Sequence, residues 1–169
     1  MNIILCGFMG CGKSTIGRRA ASRLGLEFVD MDTYIEKTAG MSVSEIFERY
    51  GEPEFRRMET KAAEELSKKS GLLIATGGGA VLNPDNVAAF KSGGVIVLLK
   101  VSAEKVIERL KDSTNRPLLM REDRDAAVRE LMEKRGSAYM NAASIIIDAN
   151  LKIPFVTNTL VQSVKNYLD

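Results

Sequence analysis

The sequence has no histidine and no tryptophan among its 169 residues, and it has only two cysteines. Without histidine the protein lacks the usual general base, cannot form a Ser-His-Asp triad and loses the commonest zinc ligand. Cys6 and Cys11 lie in a glycine-rich segment and not in a disulfide-dense framework. We therefore expect both thiols to be reduced.

The net charge is also small, and the apolar runs are short. The formal net charge is +2, so no global excess of basic or acidic residues argues for nucleic acid or for an anionic membrane surface. The longest apolar runs, such as VIVLL, fall far short of a membrane span, and Met1 leads directly into NIIL without a basic segment or a cleavage site. We expect a cytoplasmic protein with no membrane and no nucleic-acid partner.

The remaining composition is that of an ordinary globular domain. The apolar fraction is 45% and the charged fraction 27%, and 169 residues suit one domain with one core, spanning 1–169. No apolar stripe is unusual enough to require a partner subunit. We expect a monomer.

Short apolar runs alternate with amphipathic segments along the chain, the pattern of an α/β fold with a parallel sheet covered on both faces. The runs that predict buried strands are IILC, EFV, LLIA, VIVLL and SIII. The segments that predict helices are 14–24, 33–39, 44–50, 53–69, 84–91, 103–111, 125–139 and 154–168. The last helix is predicted to pack through Phe155, Leu160, Val164 and Leu168.

The segment KDSTNRPLLMREDRD, residues 111–125, departs from this pattern. It is polar, carries four basic residues and contains Pro117. A connection of this length in a compact domain is either a functional lid or disordered.

The segment GFMGCGKST, from Gly7 to Thr15, matches the phosphate-binding pattern G-x-x-x-x-G-K-[ST] between a predicted strand and a predicted helix. Its glycines allow backbone N–H groups to surround a diphosphate, Lys13 reaches the outer phosphates, and the Ser14 hydroxyl is a ligand for Mg²⁺. The predicted nucleotide-binding residues are Gly10, Cys11, Gly12, Lys13, Ser14 and Thr15. The motif predicts that a nucleoside triphosphate binds here.

Two acidic residues follow the second predicted strand, in EFVDMDTYIE. P-loop proteins usually hold Mg²⁺ through water with an acid at a strand end. The strand LLIAT is followed by GGGA, so Asp30 is the nearest candidate. Asp32 lies just beyond, where it can accept hydrogen bonds from substrate hydroxyls or take a proton from one. Both residues also fit a simpler role at a helix start, and Asp32 could cap the helix that begins at Thr33.

Arg56 lies on the flank of an apolar stripe in PEFRRMETKAAEEL, one helical turn from Glu59. Arg57 points away from that stripe. If an arginine of this helix takes part in chemistry, it is therefore Arg56, held by Glu59. The alternative is an ordinary surface ion pair.

Arg135 projects from an apolar helix face that carries Val128, Leu131, Met132 and Tyr139. A guanidinium on a buried face needs an anionic partner because it cannot lose its proton. The partner is either an internal carboxylate or a bound substrate anion. Together with Arg56 and a hydroxyl-directed Asp32, Arg135 suggests an acceptor that bears a carboxylate and hydroxyls.

Three consecutive glycines, Gly77, Gly78 and Gly79, follow a buried strand in TGGGA. They would allow a ligand to approach the bare backbone, whose amides can bind an anion. A tight turn is the alternative. Because two glycines usually suffice for a turn, the ligand-binding interpretation is favoured.

The combination of GFMGCGKSTIG, FVDMD, FRRMET, TGGGA, NRPLL and RGSAY resembles the shikimate kinase family, and the resemblance covers essentially the whole chain. This family has a nucleoside monophosphate kinase-like P-loop fold. The resemblance implies three α/β/α layers around a five-stranded parallel sheet in the order 2-3-1-4-5, with a mobile lid at about 111–125. It also implies a shikimate-binding region at about 32–60.

The resemblance also implies roles for the acceptor-side residues. Asp30 would help hold Mg²⁺, and Asp32 would bind the shikimate hydroxyls. Arg56, Arg135 and the glycine run 77–79 would bind the acid, chiefly through its carboxylate.

On the nucleotide side, Arg116 in NRPLL would fold over the ATP phosphates. Arg109 and Pro154 match the adenine-holding positions of the family.

The implied activity is transfer of the γ-phosphoryl group from Mg·ATP to the 3-hydroxyl of shikimate, a step of chorismate and aromatic amino acid biosynthesis. Lys13 and Arg116 would stabilise the charge of the transition state, and Asp32 would position the nucleophile. One alternative is another small hydroxy-acid kinase, such as a gluconate kinase. A nucleotide-dependent switch is a second alternative, but it would leave Arg135 and the glycine run unexplained.

Overall fold

The five apolar runs form five parallel strands of one sheet in the computed structural model, which describes residues 1–111 and 122–168. The strand order is β2-β3-β1-β4-β5, which confirms the order that the family resemblance implied. The strands are β1 (Asn2–Cys6), β2 (Glu27–Asp30), β3 (Leu72–Ala75), β4 (Gly94–Lys100) and β5 (Ile145–Asp148). Arg116 and most of the predicted lid lie outside the described residues.

Seven α-helices connect and follow these strands within the described residues, and their bounds agree with the predicted segments to within a few residues. They are α1 (Lys13–Leu24), α2 (Met31–Ala39), α3 (Val43–Ser67), α4 (Pro84–Gly93), α5 (Ala103–Leu110), α6 (Arg124–Ala142) and α7 (Ile153–Leu168). A 3₁₀ turn at Ala80–Leu82 precedes α4. The predicted separation of 44–50 from 53–69 is seen as a kink in α3 at Gly51, where φ is 80°.

The central strands are covered on both faces. Every residue of β1 is buried, and β3 is buried along its whole length. Helix α1 contacts β1, β2 and β3 and packs against α7, whereas α4 and α6 both contact β4. These contacts produce the three-layer α/β/α arrangement, because a strand apolar on both sides needs a helix layer on each.

The predicted apolar stripe of α7 is partly wrong. Leu160 and Val164 are buried as expected, but Phe155 is 62% exposed and Leu168 is 55% exposed. Phe155 precedes Leu160 by five positions, which turns it onto another face of the helix. The face that packs on the core consists of Val156, Thr157, Leu160, Val161 and Val164.

The carboxyl ends of three neighbouring strands bring the predicted site residues to one edge of the sheet. Leu5 of β1 and Asp30 of β2 both lie in register with Ala75 at the end of β3. The P-loop, the paired acids and the glycine run therefore begin side by side, where ligands bind in open α/β sheets. Within residues 1–111 and 122–168, no helix has the length and apolarity required to cross a membrane.

Candidate active site

The P-loop forms the turn between β1 and α1. Gly7, Gly10 and Gly12 have φ values of 144°, 75° and 94°, which side-chain-bearing residues rarely adopt. Helix α1 begins at Lys13 and has no side-chain cap, so its first amides are available to an anion. The Lys13 ammonium donates to the carbonyls of Gly7, at 2.7 Å, and Phe8, at 3.1 Å. The lysine is thus held at the mouth of the predicted phosphate cradle.

Asp30 connects the P-loop helix to helix α2. Its Oδ2 accepts a hydrogen bond of 2.9 Å from the Ser14 hydroxyl, and its Oδ1 accepts one of 3.3 Å from the Thr33 N–H. Asp30 is therefore the N-cap of α2, whereas Asp32 lies in the first turn of that helix. The prediction that Asp32 could cap a helix beginning at Thr33 is wrong, because the helix begins earlier, at Met31.

Asp32 and Glu59 direct carboxylate oxygens at the first residue of the glycine run. A Cβ placed on Gly77 would lie 3.0 Å from Glu59 Oε1 and 3.1 Å from Asp32 Oδ1. Any side chain at this position would push the acids away. The absence of a side chain at Gly77 therefore favours the close approach of the two carboxylates.

Arg56 is half-buried between two acids of its own helix. Its Nη1 donates to Glu59 Oε2 at 2.8 Å, and its Nη2 lies 3.3 Å from Glu52 Oε1. A Cβ on Gly79 would lie only 2.6 Å from Arg56 Nη1, so the guanidinium packs directly on this glycine. The predicted pairing with Glu59 is confirmed, and it is not a surface pair, because Glu59 is 1% exposed.

Glu59 is the most buried charged group at this edge of the sheet. Burial raises the pKa of Glu59 above its usual value of 4.5, and the Asp32 charge raises it further, whereas Arg56 and Arg135 lower it. One oxygen of Glu59 bonds Arg56, while the other, Oε1, has no hydrogen-bond partner among the described residues. The carboxylate therefore fixes Arg56 with one oxygen and faces Gly77 with the other.

Arg135 and Tyr139, one turn apart on α6, approach the middle glycine. A Cβ on Gly78 would lie 3.5 Å from Arg135 Nη1 and 3.9 Å from the Tyr139 hydroxyl, and also 4.0 Å from the Met9 N–H nitrogen of the P-loop. The Tyr139 hydroxyl donates a hydrogen bond of 2.6 Å to the Gly78 carbonyl. The glycine run thus lies between the arginines and the P-loop.

Each glycine of the run therefore makes room for a different site side chain. Gly77 faces the two acids, Gly78 faces Arg135 and Tyr139, and Gly79 faces Arg56. Ligand binding by the run stays a prediction. What the geometry adds is that site side chains pack tightly against Gly77 and Gly79, whereas a Cβ at Gly78 would make ordinary van der Waals contacts.

Arg109 lies between the P-loop and the segment after β5. Its Nη1 contacts the carbonyls of Gly10 and Cys11 at 3.4 and 3.3 Å, and its Nη2 donates to the carbonyl of Ala149 at 2.9 Å. Arg109 and Pro154 line one groove of about 490 Å³, together with Arg19, Lys105 and residues 150–153. The two predicted adenine-holding residues are thus neighbours in a groove beside the P-loop.

The sequence interpretation missed Tyr139 as a site residue. It placed Tyr139 only on the apolar face of α6, and its ring is indeed buried. The signal that could have found it is the spacing of four residues from Arg135 in RGSAY, which places both side chains on one helix face. Arg116, predicted to contact phosphates, lies outside the described residues.

Comparisons with known proteins agree with one another. A sequence model of the family "Shikimate kinase" matches residues 9–166. A shikimate kinase from Caldanaerobacter subterraneus subsp. tengcongensis is 42% identical over 162 residues, covering 96% of this chain and 95% of the relative. A solved structure of shikimate kinase from Acinetobacter baumannii in complex with shikimate superposes with a TM-score of 0.90 at 36% identity, covering 99% and 95% of the two chains.

A gluconokinase structure from Sinorhizobium meliloti is also similar, with a TM-score of 0.59 at 13% identity, covering 98% of this chain and 92% of that one. A structural similarity at 13% sequence identity shows a shared fold and does not indicate which acceptor this protein phosphorylates.

Proposed function

The chain belongs to the shikimate kinase family, and we propose that it transfers the γ-phosphoryl group of ATP to the 3-hydroxyl of shikimate, giving shikimate 3-phosphate and ADP. The observation that carries the proposal is that Asp32, Arg135 and Arg56 face Gly77, Gly78 and Gly79 in turn. The Cβ position of Gly78 is also 4.0 Å from the backbone nitrogen of Met9 in the P-loop. Two guanidinium groups and a carboxylate there match an acceptor that has one carboxylate and several hydroxyls. By class the enzyme is a phosphotransferase with an alcohol acceptor.

The phosphates of ATP are proposed to bind the amides of Gly10 to Thr15 and the Lys13 ammonium. The uncapped start of α1 and the left-handed glycines support this role, since they leave inward-facing N–H groups without a side-chain partner. Lys13 is already anchored on the loop, so the movement needed to reach a phosphate oxygen is short. Arg109 and Pro154 are proposed to hold the adenine in the groove that they share.

Ser14 and Asp30 are the residues proposed to hold Mg²⁺. Their oxygens lie 2.9 Å apart beside the phosphate cradle, and hydroxyl and carboxylate oxygens are donors that suit this ion. No group of three or more His, Cys, Asp or Glu side chains able to hold a metal is found in residues 1–111 and 122–168. Mg²⁺ bound with a nucleotide takes most of its ligands from phosphates and water, and it would supply neutralisation of phosphoryl charge.

The acceptor is proposed to bind with its carboxylate toward the arginines and its hydroxyls toward Asp32. The fork geometry of Arg56 and Arg135 suits a planar carboxylate, and Glu59 keeps Arg56 in place from behind. Asp32 then orients the attacking 3-hydroxyl toward the P-loop and can accept its proton. This arrangement would place nucleophile and phosphoryl group in line without a histidine base.

Transition-state stabilisation is proposed to come from Lys13 and Arg116. Charge spreads over the phosphoryl oxygens during transfer, so positioning and cationic contacts dominate catalysis. An arginine that folds over the phosphates contributes about 10³–10⁵ in rate in comparable enzymes. Closure of a lid at about 111–125 would also exclude water and limit hydrolysis of ATP.

A cytoplasmic location, a single domain over 1–169 and a monomeric state complete the proposal. The length of 169 residues supports a single domain, and the near-neutral net charge of +2 with no long apolar run favours neither a membrane nor a nucleic-acid partner. Size-exclusion chromatography with light scattering tests the monomeric state directly.

A coupled ADP-release assay with shikimate, with gluconate and without acceptor tests the activity. In the presence of ATP, we expect rapid ADP release with shikimate and not with gluconate or without an acceptor. The Arg135→Ala variant should raise the KM for shikimate about 10- to 100-fold while the KM for ATP stays nearly constant, because each charge-assisted hydrogen bond contributes about 1.5–3 kcal/mol. The matched control is Arg129→Ala, on the same helix, whose side chain is half exposed and pairs with Glu104.

The proposal fails if gluconate is turned over as well as shikimate or if no acceptor is phosphorylated. Unchanged shikimate kinetics in Arg135→Ala would contradict the carboxylate assignment and leave the activity itself standing.

A further inference from the structure

Tyr139 has a buried ring and a hydroxyl that reaches the acceptor side of the site. The residue is 5% exposed, and its ring lines an apolar cavity of about 170 Å³ together with Phe8, Leu98 and Met132. Its hydroxyl donates to the Gly78 carbonyl at 2.6 Å, across sixty-one positions of sequence. This bond connects helix α6 to the glycine run after β3.

Arg135 lies on the same face of α6, four residues before Tyr139. Both side chains converge on one point, because the Cβ position of Gly78 is 3.5 Å from Arg135 Nη1 and 3.9 Å from the Tyr139 hydroxyl. A phenol has one hydrogen to donate and lone pairs to accept. With its hydrogen committed to Gly78, the hydroxyl has only its lone pairs to offer to the neighbouring guanidinium of Arg135.

We propose that Tyr139 is a positioning residue for the acceptor carboxylate, which holds the Arg135 guanidinium and the Gly78 backbone together as one anion-binding unit. This inference rests on the proposed function, since it assigns Arg135 to the substrate. Tyr139 itself does not touch the reacting atoms. Its effect is to reduce the number of side-chain conformations that Arg135 samples before the acid binds.

Because the side chain of Arg135 is long and flexible, a residue that positions it before the substrate binds is useful. A free arginine loses much conformational freedom when it is fixed on a ligand, and a preorganised one loses less. Arg56 is fixed by Glu52 and Glu59, so its guanidinium is aimed before binding. A neutral hydroxyl can aim Arg135 in a similar way without neutralising its charge, which leaves that charge available to the substrate.

The protonation state of Tyr139 is consistent with this role. Burial raises the pKa of Tyr139 to about 12, although the charge and hydrogen bond of Arg135 act to lower it. The hydroxyl therefore keeps its proton across the pH range of ordinary assays and remains a donor to Gly78.

The Tyr139→Phe variant tests the proposal, because it removes one oxygen and retains the buried ring. We expect the KM and the Kd for shikimate to rise about tenfold, with kcat within about threefold of wild type and the KM for ATP unchanged, as for one lost hydrogen bond that leaves a buried acceptor. The control is Tyr167→Phe, whose side chain is exposed on α7. Thermal unfolding of both variants checks that the fold is intact.

A double-mutant cycle with Arg135→Ala distinguishes positioning from a purely structural hydrogen bond. If Tyr139 acts through Arg135, adding Tyr139→Phe to Arg135→Ala should raise the KM for shikimate by less than about twofold. The methyl ester of shikimate, which lacks the carboxylate charge, should likewise show little dependence on Tyr139. Loss of the bond to Gly78 can lower the unfolding temperature in either case, but a merely structural role would affect acid and ester equally.

Two results would overturn the inference. One is a Tyr139→Phe variant with unchanged KM for shikimate in a protein whose Arg135→Ala variant shows a raised KM, which would leave the proposed function in place. The other is a double variant whose KM for shikimate rises by the product of the increases in the two single variants. Failure of Arg135→Ala itself to alter the KM for shikimate would instead count against the arginine assignment on which the inference rests.

Discussion

The Asp30 carboxylate is shared between the Ser14 hydroxyl, at 2.9 Å, and the N–H of Thr33, at 3.3 Å. The sequence left open whether the acid at the end of β2 serves a helix start or a functional site. One oxygen caps α2, and the other accepts the hydrogen bond of Ser14 where Mg²⁺ is proposed to bind. Because the two roles use different oxygens, they can be separated by substitution.

We predict that Asp30→Asn retains the helix cap and loses the metal-binding role. Asparagine caps helices as well as aspartate does, so the free energy of unfolding should stay within about 0.5 kcal/mol of wild type. The Mg²⁺ concentration for half-maximal activity should rise at least about tenfold, because a charged ligand of the ion has become neutral. Titration of Mg²⁺ at fixed ATP measures this effect, and Asp30→Ala, which also loses the cap, should be less stable by about 1 kcal/mol. A wild-type Mg²⁺ profile in Asp30→Asn would contradict the assignment.

We predict that Gly79→Ala impairs acceptor binding with little loss of stability. The new methyl group would lie 2.6 Å from Arg56 Nη1, so the end of a flexible side chain must move while the backbone stays in place. The KM for shikimate should rise about tenfold, and the urea midpoint should change little. Gly136→Ala is the matched control, because its methyl group would enter open space within a helix. It should stabilise the protein by about 0.5–1 kcal/mol and leave the KM unchanged.

The buried carboxyl of Glu59 predicts a distinctive pH dependence of stability. Its pKa in the folded protein is raised by burial, so between its usual value and the folded value the native state binds more proton than the unfolded state. Stability contributed by this group is therefore complete at low pH and falls as the pH rises through that interval. Urea unfolding from pH 4 to 8 should show wild type losing stability relative to Glu59→Gln as the pH rises.

The control for this measurement is Glu54→Gln, because the exposed Arg57 lowers the pKa of Glu54 by hydrogen bonding. The sign is then reversed: wild type should lose stability relative to Glu54→Gln as the pH falls below the usual value of 4.5, so the scan for this control extends to about pH 3. A Glu59 difference that is flat or follows the Glu54 direction would contradict the raised pKa.

We predict that Arg116→Ala loses most of kcat while it retains substantial affinity for shikimate. The reason is that a cation folded over the phosphates would act on the transition state, whereas the acceptor carboxylate is proposed to bind Arg56 and Arg135. A loss of about 10³ in kcat, with a Kd for shikimate within about threefold of wild type by isothermal titration, is expected. Comparable losses in both quantities would argue against a lid role for Arg116.

Local patterns in the sequence were sufficient for the phosphate cradle and for most elements. The P-loop is a contiguous motif, so its spacing alone determines which atoms surround an anion. Strand and helix bounds followed from apolar periodicity, and the break in α3 before Pro53 was also predicted. The strand order came from the family resemblance, because periodicity does not specify which strands are neighbours.

The sequence was insufficient where a prediction depended on which face of a helix packs against the rest of the protein. Phe155 was predicted to be in the core and is exposed, because a partner surface, and not apolarity alone, selects the buried face of α7. Tyr139 was correctly expected to be buried, yet the position of its hydroxyl depends on Gly78, far away in sequence.

By itself, then, the sequence determined the motif that surrounds a phosphate, the alternation of strands and helices, and the set of charged residues available for an acid acceptor. Only the tertiary structure decided that each of Gly77, Gly78 and Gly79 receives a different side chain, and that one carboxylate oxygen of Asp30 caps α2 while the other meets Ser14. The physical reason is the separation along the sequence of the residues that interact. Backbone turns and periodic faces are encoded within a few neighbouring residues, whereas the approach of a guanidinium or a phenol to a distant glycine depends on how whole helices pack against the sheet.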